Sequence, residues 1–308
     1  MTLNENADID TSQVTDKRGS GGGSLGGLGG GGFPIPIPGG GGTLGTLLVL
    51  ALIVAGTFLG PKLMGDGGDE AGGPGVDQTC STANPDRLNQ SECRNALYVN
   101  SIQAYWRTAL PTTFGEQYQQ VDTVFFAQQV NTGCGTADSG VGPFYCPLDD
   151  QVYIDLSFYD ELASRFGAKG RFAQPYVLAH EYGHHVQDLL GTSDDVQRRS
   201  EADPGSANGL SVRLELQADC FAGVWAKHAL ETKDAKGQPI FSSLTQADID
   251  QALEAAAAIG DDRIQSQAGG RVDESKFTHG TSEQRSRWFG TGYQTGDGRQ
   301  CDTFTKPV

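Results

Sequence analysis

The sequence predicts an α+β domain behind a single N-terminal transmembrane helix. Three observations carry this. Between Arg18 and Lys62 there is no charged residue, and Thr43 to Leu59 (TLGTLLVLALIVAGTFL) is almost wholly apolar. Past that run the chain takes on globular texture, and its strand-like stretches come before its helix-like ones, an order that favours α+β over alternating βαβ units. Finally, 14 of the 44 glycines fall in residues 19–42, so the folded part is much shorter than the 308 residues of the chain. With 38 Asp plus Glu against 22 Lys plus Arg, the net charge is -16. Such a charge opposes phosphate-backbone binding and argues against nucleic acid or anionic headgroups as ligands.

Taking the chain in order, residues 1–18 are polar and lack apolar periodicity, and residues 19–42 alternate glycine runs with Phe33-Pro34-Ile35-Pro36-Ile37-Pro38. Residues 1–42 are therefore read as a disordered Gly/Pro-rich tail. The apolar run, taken as an anchor over 43–63, has about the length that spans a bilayer core. It starts too far from the N-terminus for a signal peptide and lacks a small-residue cleavage site. Residues 64–79 form a linker, and 80–308 one domain with no internal repeat. All six cysteines, Cys80, Cys93, Cys134, Cys146, Cys220 and Cys301, follow the anchor. An even set on one side fits disulfides outside the cytoplasm. The expected localisation is thus a single-pass membrane protein with an extracytoplasmic C-terminal domain. Fifteen pairings are open, and local spacing favours Cys80 with Cys93 and Cys134 with Cys146, which leaves Cys220 with Cys301.

Within the domain, Leu97 to Ala109 has helical spacing, while Val121 to Val130 and Gln151 to Ser157 read as strands, the latter alternating at Val152, Ile154 and Leu156. Gly133 to Pro147 is a loop ending in a short strand at Gly142 to Cys146. Helices are expected over Phe158 to Phe166, Tyr176 to Leu190, Leu210 to Leu230, Gln246 to Ile259 and Ser282 to Phe289. The second is introduced by Pro175 and closed by Gly191.

That second helix contains His180-Glu181-Tyr182-Gly183-His184. Histidines at i and i+4 share one helix face, a spacing at which both can ligate one zinc ion, and Glu181 is set to meet a water beside the metal. A catalytic zinc needs a third protein ligand and one open position. Glu215-Leu216-Gln217-Ala218-Asp219 supplies two carboxylates at i and i+4 on a later helix, among apolar neighbours that demand a partner for each. If Glu215 completes the coordination, Asp219 is placed to accept a hydrogen bond from a ligand histidine's other nitrogen. His185 lies about 100° round the helix from His184 and is read as packing or surface. Tyr145, Tyr176 and Tyr182 are read as core or rim aromatics.

HExxH followed by ExxxD on a later helix is the pattern of the gluzincin metallopeptidases. The chain more specifically resembles the bacterial membrane-anchored neutral zinc metallopeptidase family. The resemblance rests on the tail and anchor, Gly142-Pro143-Phe144-Tyr145-Cys146-Pro147, His180 through Gln187, Glu215 through Cys220, and Thr278-His279-Gly280-Thr281-Ser282-Glu283-Gln284-Arg285. It implies a zincin-like domain, with a small antiparallel sheet plus active-site helices, and hydrolysis of a peptide or protein substrate with one zinc ion per chain. Zinc would supply Lewis acidity, while Glu181 takes a proton from water and passes it to the leaving amine. His279 resembles a Thr-His element of related gluzincins and is the expected donor to the developing oxyanion. Arg285 is a candidate to orient that segment or to bind a peptide carboxylate. Two rival readings stand beside this one: a non-catalytic, zinc-stabilised extracytoplasmic interaction domain, and a zinc hydrolase of non-peptide amides. The sequence does not choose an oligomeric state.

Overall fold

A computed structural model describes residues 1–18, 76–269 and 271–308. The expected anchor over 43–63, residues 19–42 of the tail and 64–75 of the linker lie outside the described residues. Among the described residues no helix is long and apolar enough to cross a membrane.

In chain order the strands are β1 (Thr2–Leu3), β2 (Val14–Asp16), β3 (Asp122–Phe126), β4 (Gln129–Thr132), β5 (Gly135–Asp138), β6 (Phe144–Cys146), β7 (Gln151–Asp155) and β8 (Phe241–Ser243). The helices are α1 (Val76–Thr79), α2 (Ser91–Phe114), α3 (Phe158–Ser164), α4 (Ala173–Leu189), α5 (Thr192–Ala202), α6 (Ala207–His228), α7 (Gln246–Ala258), α8 (Asp261–Gln267) and α9 (Ser282–Thr295). The mixture of small sheets and many helices agrees with the α+β expectation. The sheet itself requires a correction. It runs β2-β3-β7-β6, with β2, β3 and β7 parallel and only β6 antiparallel, rather than as an antiparallel sheet.

Side-chain alternation explains how this sheet is sandwiched. Phe125, Tyr145, Val152 and Ile154 join the large core under the helices. Val124, Phe126, Phe144, Cys146 and Tyr153 point the other way, onto Val130 and Ala137 of the β4–β5 hairpin. The expected single strand over Val121 to Val130 is broken because Gln128 takes a left-handed φ of 66°, which sends β4 off to pair with β5. Three disulfides, Cys80–Cys93, Cys134–Cys146 and Cys220–Cys301, match the expected pairing, the second tying the hairpin to β6.

The first 18 residues overturn the expectation of disorder. β1 pairs with β8, β2 forms an edge of the main sheet, and Leu3, Ala7 and Val14 are buried. Because the packing is largely polar, no apolar period announces it. Arg87 is 3% exposed and donates to the carbonyls of Glu5 at 2.7 Å and Ala7 at 2.6 Å. Asn100 exchanges two hydrogen bonds with the backbone of Asp10, and Gln103 donates to Gln13. The end of the expected linker likewise forms α1.

Helices α4, α6 and α9 carry the site, and small residues let them approach closely. A Cβ at Gly183 of α4 would sit 2.9 Å from the Ala218 backbone of α6, and one at Gly292 of α9 would sit 1.9 Å from the Cys220 carbonyl. Both crossings are therefore closer than any larger side chain permits.

Candidate metal centre

Helix α4 begins at Ala173, with Pro175 in a first turn where its missing N–H costs nothing. Thirteen of its 17 residues are buried, so it is an interior helix. His180 and His184 face α6 across the Gly183–Ala218 crossing. There, His180 Nε2 lies 3.1 Å from Glu215 Oε2 and His184 Nε2 lies 3.5 Å from Glu215 Oε1. Ligand atoms of the three side chains all fall within 4.8 Å of one another. Two imidazoles and a carboxylate are a borderline-soft set suited to zinc.

Each histidine is fixed through its other nitrogen. His180 Nδ1 donates to Asp219 Oδ1 at 2.9 Å. His184 Nδ1 donates to Gln187 Oε1 at 2.9 Å, and the Gln187 amide in turn donates to the Leu214 carbonyl at 2.7 Å and to Gln217 Oε1 at 3.1 Å. Gln217 donates onward to the Cys301 carbonyl, beside the Cys220–Cys301 disulfide. These bonds hold a proton on each Nδ1 and orient both rings so that both Nε2 atoms face Glu215.

Asp219 is completely buried and meets three donors. Besides His180, Tyr176 Oη donates at 2.6 Å, and Arg285 donates from Nε to Oδ2 at 2.8 Å and from Nη2 to Oδ1 at 3.0 Å. Burial alone would raise the Asp219 carboxyl, but Arg285 and His180 outweigh it and hold the pKa below the usual value. Arg285 is itself 1% exposed, so it is not available to bind a peptide carboxylate. It positions Asp219 instead. Tyr176 is a core aromatic, as expected, yet its hydroxyl belongs to this network.

The electrostatics of the cluster favour a cation. Burial works against charging His180, but Asp219 and Glu215 on either side of the ring raise its pKa to about 10. Glu215 is held well below the usual carboxylate range, since the neighbouring histidines overcome its desolvation. Burial lowers His184 to about 4, which keeps its imidazole neutral, as ligation requires. The residues present therefore fit a zinc ion.

Glu181 is 7% exposed, and burial, resisted by His180, pushes its carboxyl up to about 7. The nearby Tyr145 backbone also opposes that rise. His279 precedes α9, and its Nδ1 lies 3.1 Å from Asp261 Oδ1. Asp261 Oδ2 accepts the backbone N–H groups of Thr278, His279 and Gly280, which clamps the loop. Nε2 of His279 is buried without a protein partner among the described residues. The His279 imidazole is close enough to Glu215 for each to shift the other's pKa. His185 points elsewhere, to Tyr145 Oη and the Gln119 carbonyl. Sequence reading missed Asp261, Gln187 and the role of Tyr176. Only Gln187, one turn beyond His184, carried a local signal.

Comparison with known proteins agrees with this geometry. Residues 5–304 match the family described as "Putative neutral zinc metallopeptidase". The uncharacterized protein YpfJ of Escherichia coli (strain K12) is 43% identical over 303 residues, covering 97% of this chain and 98% of its own. The uncharacterized proteins Mb2605 of Mycobacterium bovis and Rv2575 of Mycobacterium tuberculosis are each 46% identical over 234 residues, covering 75% of this chain and 77% of theirs. No solved structure matches the chain. With its family match running almost end to end, the chain belongs to this neutral zinc metallopeptidase family.

Proposed function

We propose that the protein is a zincin-type peptidase that hydrolyses peptide bonds with one zinc ion held by His180, His184 and Glu215. The observation that carries this reading is the donor set: three ligands, with a buried carboxylate, Glu181, immediately beside them. A structural zinc site is closed by four protein donors, whereas a catalytic one keeps a position open. Among the described residues only these three converge, and all six cysteines are paired, so no thiolate closes the site.

When bound, zinc supplies Lewis acidity and makes an adjacent water more acidic. Glu181 takes the water's proton and returns it to the leaving amine; a carboxyl poised near neutral pH suits both halves of that transfer. Asp219 and Gln187 keep the imidazoles aimed while charge changes around them. His279, which Asp261 orients and favours as the imidazolium, offers its Nε2–H as the donor to the developing oxyanion. Among the described residues β6 pairs with β7 on one side only, and the Tyr145 backbone is near enough to Glu181 to bear on its carboxyl. A peptide substrate would add as a strand along that edge, next to the base.

The test is zinc content together with cleavage of casein and a peptide library, by wild type and Glu181→Gln. Both proteins should bind one zinc, with cleavage slowed by about 10²- to 10⁴-fold in the variant. If both bind zinc and neither cleaves, the interaction-domain reading replaces this one.

A further inference from the structure

His184 is held by a relay of side-chain amides whose direction is set from the C-terminal segment. The Cys301 carbonyl can only accept, so it takes the Gln217 side-chain N–H at 2.9 Å and leaves Gln217 Oε1 turned toward Gln187. Gln187 must then present its amide hydrogens, one to Gln217 and the other to the Leu214 carbonyl. Its oxygen is left for His184, which therefore carries its proton on Nδ1 and keeps Nε2 toward Glu215. Reversing either amide would set donor against donor in a dry interior, where Gln187 is 0% and Gln217 8% exposed.

The Cys301 carbonyl keeps its place because the C-terminal segment is fastened along α6. Cys301 is disulfide-bonded to Cys220, and both are buried. The buried Thr303 donates its hydroxyl to the Arg213 carbonyl at 2.6 Å, and the Arg213 guanidinium donates to the carbonyls of Thr303 and Lys306. Arg213, Gln217 and Cys220 recur at i, i+4 and i+7, so the segment follows one face of the helix. Glu215 lies about half a turn round from that face, on the side of His180 and His184.

We infer that the C-terminal segment from Cys301 is a positioning element of the metal centre. Its carbonyl, through Gln217 and Gln187, keeps the His184 imidazole oriented to bind zinc, and the Cys220–Cys301 disulfide holds that carbonyl in place. This rests on the ligand set proposed above and not on peptide hydrolysis. The Leu214 carbonyl still holds Gln187 when Gln217 is replaced, so what is lost is affinity rather than binding itself.

The test is the zinc affinity of the full-length protein against a competing chelator, at a temperature where circular dichroism shows every variant folded. Gln217→Met keeps the length of the side chain and removes the amide. It should bind zinc about 10-fold more weakly, the lower end of what losing an outer partner of a ligand costs. Cys220→Ala with Cys301→Ala should weaken binding to a similar degree. Asp155→Asn, which gives up hydrogen bonds from Ser139, Gln128 and Ser157 and none in the relay, should match wild type. Unchanged affinity in Gln217→Met or in the folded cysteine variant, or an equal fall in Asp155→Asn, overturns the inference while the ligand set stands. Wild-type protein that binds no zinc overturns both. If the cysteine variant does not fold, Gln217→Met decides alone.

Discussion

Replacing Arg285 with methionine keeps most of the side-chain volume but strips Asp219 of both guanidinium hydrogen bonds. Asp219 is 0% exposed and would keep only Tyr176 Oη and His180 Nδ1 as donors. Removing one partner of a buried ion pair costs about 3–5 kcal/mol, mostly as the penalty of the charge left behind. At about 2–4 °C per kcal/mol for a domain of this size, Arg285→Met should lower Tm by roughly 6–20 °C. Thermal melts followed by circular dichroism read this directly. The double variant Asp219→Asn with Arg285→Met separates the cause from a simple loss of packing. It removes the stranded charge, so it should melt above the Arg285→Met single variant. A single variant melting within 2 °C of wild type, or a double variant no better than the single, would refute the reasoning. Zinc affinity should fall about 10- to 100-fold in the single variant, because Asp219 no longer holds His180 in register.

Three further outcomes follow from the same geometry. Glu215→Ala should weaken zinc retention measured against a competing chelator; unchanged affinity would remove Glu215 from the ligand set. His279→Leu should lower kcat by about 10²-fold with little change in KM or zinc content, and Asp261→Asn should do the same to a smaller degree; wild-type kcat in both would exclude His279 as the oxyanion donor. For Asp155, burial pushes the carboxyl up, but the Ser139 hydroxyl and the backbone N–H groups of Ser157 and Gln128 outweigh it and lower the pKa. A depressed carboxylate stabilises the fold above its unfolded pKa of about 3.9 and loses that contribution as pH falls through the folded value. The stability gap between wild type and Asp155→Asn should therefore shrink on acidification below about pH 4, and a gap constant from pH 7 to pH 3 would contradict this.

The metal motif was legible because it is local. His180 and His184 need only a helix to share a face, and Glu215 with Asp219 stood out as carboxylates one turn apart among apolar residues. The disulfides were legible from spacing, two of the three loops being short. What surrounds the ligands was not, because it is assembled across the chain. Arg285 reaches Asp219 from 66 positions away, and Asp261 clamps the His279 loop from 18 away. The N-terminal segment was misread for a related reason. Its partners are polar side chains of α2, Arg87 just before it, and sheet edges, so it needs no apolar period of its own. The first turn and a half of α2, whose start was expected at Leu97, was hidden for a similar reason: it is polar, and the buried Asn95 there bonds the Ser91 carbonyl and the Tyr159 hydroxyl. α5 and α8 bury one residue each, so neither presents an apolar stripe that marks a core-facing helix.

The central claim is that His180, His184 and Glu215 hold one zinc ion and leave a position open. X-ray absorption at the zinc edge of the stoichiometrically loaded protein tests it most directly. Two imidazole nitrogens and oxygen donors only, at about 2.0–2.2 Å, are the predicted shell, with one imidazole contribution lost in His184→Ala. A sulfur donor near 2.3 Å, or a shell unchanged in that variant, would contradict it.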